Sequence, residues 1–74
     1  MKRTQIEIIR TANTLRSKSD DIRHSSNDDD MADDFAEWGR ELYLVAMGKG
    51  HKTESMEVDN WLKGNPCEIA DIVS

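Results

Sequence analysis

Between Met31 and Val45 the large apolar residues Met31, Phe35, Trp38, Leu42 and Val45 follow one another at steps of four, three, four and three. Residues so spaced share one face of an α-helix, because a turn takes 3.6 residues. Beside that stripe runs a second one: Ala32, Ala36, Gly39, Tyr43 and Ala46. A helix apolar over two neighbouring stripes must be covered on a wide arc, so this segment is expected at the centre of the fold. An earlier segment repeats the spacing more thinly, through Ile8, Ala12, Leu15, Ser19 and Ile22. Thr4 and Glu7 precede it as a capping box, in which each side chain bonds the other residue's amide. Together they predict a first helix over about 5–24. His24-Ser25-Ser26-Asn27 reads as a loop or frayed helix end, and one of Asp28, Asp29 and Asp30 as the cap of the second helix. A connection of about six residues between two such helices makes an antiparallel hairpin the simplest layout.

The remainder is short pieces. Gly48-Lys49-Gly50-His51-Lys52 predicts a turn, with Gly48 or Gly50 closing the second helix. Thr53 is placed to cap a third helix running through Met56, Val58, Trp61 and Leu62 and ended by Gly64. Asn65-Pro66-Cys67-Glu68 then supplies another start: an Asn cap, proline at the first helical position and Glu at the third. A last helix buries some of Ile69, Ala70, Ile72 and Val73. No segment has the two-residue alternation of a strand. The expected fold is all-α, a small helical bundle forming one domain over 1–74, with an antiparallel two-helix hairpin and two short C-terminal helices.

With 74 residues, such a chain buries only about 60% of the surface exposed when unfolded. Cys67 is the single cysteine, so no disulfide within the chain compensates, and a lone thiol suits a reducing compartment. Small cores without such staples are often completed by a partner or a second copy. The longest apolar run, Leu42 to Met47, is far shorter than the roughly 20 residues of a membrane span. The N-terminus has no signal-peptide apolar stretch either. A cytoplasmic protein that does not enter a membrane is expected.

The net charge of −5 is unevenly spread. Residues 1–24 carry six Lys/Arg against three Asp/Glu, residues 25–48 one against seven, and residues 49–74 three against five. A basic first third and an acidic middle suit two segments that attract each other. They suit a free nucleic-acid binder less well, since such proteins are usually basic.

The motifs that carry chemistry are missing. The run Asp28, Asp29, Asp30, Asp33, Asp34 fails as a calcium loop, because Ala32 falls where an oxygen ligand belongs and Asp33 where the turn glycine belongs. Around Gly48-Lys49-Gly50, Tyr43 and Gly50 occupy the positions where a phosphate-binding loop needs Gly and Ser/Thr. His24, His51 and Cys67 are scattered singly, without the paired spacing of a zinc site. No glycine-framed nucleophile turn occurs. No enzyme activity, metal or cofactor is expected.

Val58-Asp59-Asn60-Trp61-Leu62-Lys63-Gly64-Asn65 resembles the end of the recognition helix in helix-turn-helix repressors of phages and bacteria. The resemblance covers about eight residues. It implies DNA binding through the helix around 53–63, with Lys49, Lys52 and Lys63 as contacts. Two features depart from the family. The stretch from Gly48 to Gly64 is several residues too long, and Glu54, Glu57 and Asp59 repel phosphates. In size and composition the chain also resembles the short acidic accessory proteins of phages and prophages, anti-CRISPR inhibitors of host defence among them, a likeness carried by no motif. The leading expectation is therefore a protein that binds another protein, possessing a basic surface, through Asp29, Asp30, Asp33, Asp34, Glu37 and Glu41. The alternatives are the DNA regulator and a structural homodimer built on the second helix.

Overall fold

The fold is described by a computed structural model covering residues 3–25, 28–48 and 54–73. Four helices follow in order: α1 (Gln5–Ser25), α2 (Asp29–Ala46), α3 (Met56–Lys63) and α4 (Glu68–Val73). The all-α expectation holds. The two long helices pack on each other, and the two short ones close one side.

Both long helices begin on local caps. Thr4 Oγ1 accepts from the Glu7 amide at 3.1 Å, and Asp28 Oδ1 accepts from the Met31 amide at 3.2 Å. Each satisfies one of the amides a helix start leaves without a partner. The Glu7 carboxylate pairs with Arg3 at 3.3 Å. At the far end of α2, Gly48 takes the left-handed conformation (φ 67°), and its amide donates to the Val45 carbonyl.

Three contacts fix an antiparallel register between α1 and α2. Gln5 Nε2 donates to the Ala46 carbonyl at 2.7 Å. Gly39 lies against α1, where a Cβ would meet the Ala12 carbonyl oxygen at 3.0 Å and Arg16 Cγ at 2.9 Å. The buried Ser19 hydroxyl donates to the Ala32 carbonyl at 2.6 Å. The residues of α2 that face this seam and the core are Ala32, Phe35, Gly39, Leu42 and Ala46. They alternate between the two stripes read from the sequence, so the buried face lies between them. Trp38 and Val45 are half-buried beside the core, while Tyr43 and Met31 are exposed. The small residues thus permit close helix approach within the chain itself.

The C-terminal helices complete the core by placing Val58, Trp61 and Ile69 on Ile8, Ala12, Leu15, Leu42 and Ala46. Their starts are built differently from those of the long helices. α3 begins at Met56, and Ser55 precedes it without a side-chain capping bond. Thr53, the expected cap, lies outside the described residues, as does Gly50 in the expected turn. Instead Glu41 Oε1, reaching over from α2, accepts from the Glu54 and Ser55 amides at 2.8 and 3.2 Å. Gly64 (φ 82°) closes α3, with the Asn65 amide donating to the Asn60 carbonyl at 2.9 Å in the pattern of a Schellman turn. α4 begins at Glu68 and not at the expected Pro66, its first turn closing on the Cys67 carbonyl, which accepts from the Asp71 amide at 3.3 Å. The Ile69 amide there donates to Glu57 Oε1 of α3 at 3.1 Å. A carboxylate of α2 therefore caps the approach to α3, and a carboxylate of α3 caps α4.

Candidate functional site

Asp29, Asp30, Asp33, Asp34 and Glu37 are all exposed on the first half of α2. The helix dipole and the capping positions account for negative charge only within about the first turn, which holds Asp29 and Asp30. Asp33, Asp34 and Glu37 lie beyond it. Asp33 forms an ion pair with Arg23 of α1, the attraction expected between a basic first helix and an acidic second one. Asp34 and Glu37 have no ion pair among the described residues. Asp30, Asp34, Glu37 and Glu41 follow at steps of four, three and four, which sets them on one stripe, on the side of α2 away from the seam.

Glu41 departs from its expected role. Although it continues that stripe, it is only 5% exposed, because residues 54–55 fold over it and donate two amides to Oε1. Its carboxylate holds the chain's own backbone and does not face a partner. Its other oxygen, Oε2, is buried with no hydrogen-bond partner among the described residues. The spacing rule that put Glu41 with the other acids gives a direction from the helix axis. What later folds over that direction is a long-range matter.

Of the bases assigned to DNA contact, Lys63 is exposed and paired with Asp59 at 2.9 Å. Lys49 and Lys52 lie outside the described residues, as does His51. Within α3, Val58 and Trp61 are buried and Glu57 caps α4. No described base of α3 is left unpaired. No group of three His, Cys, Asp or Glu among the described residues could hold a metal ion. No described helix is long and apolar enough to cross a membrane.

The structure also assembles a feature that sequence reasoning missed. A groove of about 710 Å³ runs between α1 and the α3–α4 pair, with Arg3, Glu7 and Arg10 on one wall and Trp61, Ala70 and Val73 on the other. The Arg3 guanidinium sits 4.2 Å from the centre of the Trp61 ring, and its Nε donates to the Trp61 carbonyl at 3.1 Å. The available signal was the polar spacing of Arg3, just before α1, with Glu7, Arg10 and Thr14 along it. Nothing in that spacing says that a tryptophan 58 positions away covers it.

No protein-family model, no curated protein and no solved structure shows a significant match to this chain.

Proposed function

We propose that this protein works by binding another protein, presenting the exposed acids of α2 to a basic surface and obstructing whatever else uses that surface. One observation carries the reading: Asp34 and Glu37 are exposed carboxylates beyond the first turn of α2, with no ion pair among the described residues. Neither capping nor the helix dipole gives them a structural task. Carboxylates grouped with Asp29 and Asp30 on the most extensively packed helix form a negative patch on a firm support. Such a patch steers encounter with a basic partner and sets its orientation. An inhibitor of the kind that occupies a nucleic-acid-binding surface is the form of this activity that the charge favours.

The test is capture of partners from lysate of the source cell, with and without nuclease, by the wild type and by D30K/D34K/E37K. A stoichiometric protein that the wild type retains and the variant loses, with retention falling as salt rises, supports the reading. Equal capture by both at low salt removes it. Recovery that depends wholly on nucleic acid transfers the function to the DNA-binding alternative.

A further inference from the structure

The fold uses only half of the Glu41 carboxylate. Oε1 accepts from the Glu54 and Ser55 amides, while Oε2 is enclosed without a hydrogen-bond partner in a residue that is 5% exposed. Shutting a carboxylate oxygen away from water unpaired is unfavourable, which offsets part of what the two hydrogen bonds to Oε1 contribute. The cover over Glu41 is itself lightly held. Ser55 makes no side-chain capping bond, and the helix it leads into has eight residues, too few to persist undocked. Segments of that kind lie at the low end of local stability and open ahead of the rest of a molecule.

The place of Glu41 on α2 says what meets it once uncovered. It lies four residues beyond Glu37 and seven beyond Asp34, both exposed, so it continues their line along the helix. A basic segment lying on that line comes to Glu41 next after Glu37. Arginine suits this carboxylate better than lysine does. A guanidinium presents two parallel donors, one for each oxygen, whereas the two backbone amides share Oε1 and leave Oε2 unpaired. On the α2 reading, which this deepens and on which it rests, we propose that Glu41 is a concealed arginine-binding carboxylate and that residues 54–55 are an autoinhibitory cover displaced by a partner's arginine. Cover and arginine compete for one carboxylate, so each weakens the other by the same factor.

The probe is acetylated, amidated hexa-arginine, titrated at low salt into the ¹⁵N-labelled full chain and followed by NMR, with hexa-lysine as the control. Saturating hexa-arginine is expected to speed hydrogen exchange at the Glu54 and Ser55 amides and to leave it unchanged at Ala12 and Leu15. E41Q keeps an acceptor for the two amides but not the charge. It should bind hexa-arginine about tenfold more weakly and no tighter than hexa-lysine. S55P leaves Glu41 in place and removes one donor, at a φ of −88° near proline's own. It should bind hexa-arginine about fivefold more tightly, through a larger uncovered fraction. The spectrum of each variant reports whether the fold is kept. Equal hexa-arginine affinity in the wild type, E41Q and S55P, with unmoved exchange at residues 54–55, overturns the proposal. If D34K/E37K then still loses binding, the α2 reading stands without it. If D34K/E37K binds as the wild type does, or the wild type shows no binding at about 1 mM, a weak-binding threshold, both fall.

Discussion

The α1–α2 seam and the dock of α3 and α4 solve the same problem with opposite means. Along the seam the helices approach through small residues, Ala12, Ser19, Ala32 and Gly39, and register is held by backbone carbonyls accepting from Gln5 and Ser19. At the dock, large side chains do the covering, since Trp61, Val58 and Ile69 enter the core almost fully buried. The helix starts differ in parallel: Thr4 and Asp28 cap from within a few residues, whereas Glu41 and Glu57 reach across from another helix. The seam should therefore be damaged by adding atoms and the dock by removing them. Long helices with local caps can begin to form before tertiary contacts exist. Helices of eight and six residues are too short to persist alone.

The largest expected effect falls on the dock. W61A removes the biggest buried side chain and the ring under Arg3. It should cost about 3–5 kcal/mol in urea unfolding, comparable with the whole stability of a chain this short. A loss below about 1 kcal/mol, the scale of an ordinary surface change, would mean that the dock is not held by Trp61. Next comes E41A, which strips two amides of their acceptor and should cost about 1–3 kcal/mol, with E41Q closer to the wild type because an acceptor oxygen remains. An E41Q loss as large as that of E41A would mean that the charge, and not the acceptor, holds the segment.

The seam supplies the opposite pair. G39A gains helix propensity of about 1 kcal/mol but drives a Cβ to 3.0 Å from the Ala12 carbonyl oxygen. We expect a net loss of about 1 kcal/mol, as overpacking of about 1–3 kcal/mol exceeds the gain. A stabilised G39A would show that the helices separate freely, and the close-approach account of the seam would fail. The smallest effect is expected for S19A. The Ala32 carbonyl loses its interhelical donor, and the cost should be about 0.5–1.5 kcal/mol in the same unfolding assay.

The same contrast explains what could be read in advance. Local signals carried the hairpin: the four-three spacing, the Thr4 and Asp28 caps and the glycines after α2 and α3 all lie within a few residues of what they specify. The buried face of α2 was displaced because Phe35 with Leu42 and Ala32 with Gly39 belong to adjacent stripes of similar apolarity. Choosing between them requires α1 in place. The start of α4 was misplaced because the carboxylate that caps it, Glu57 of α3, lies 12 positions before the Ile69 amide it accepts from. Glu41 and Arg3 were out of reach altogether, since their partners lie 13 to 58 positions away. Of the candidate site, Asp29, Asp30, Asp33, Asp34 and Glu37 were legible as exposed helix acids, and the groove was not.

The central claim is that the hairpin is the frame, carrying the acidic face, and that α3 and α4 are docked onto it by Trp61 and two borrowed carboxylate caps. Native-state hydrogen exchange of the wild type and E41A tests this most directly, since it resolves the opening free energy of each helix. The account predicts the highest protection at the middle of the seam, around Ala12, Leu15 and Leu42. Protection should be lower in α3 and α4, and E41A should accelerate exchange there well before it does so in α1. A single opening free energy shared by all four helices, lowered uniformly by E41A, would contradict it.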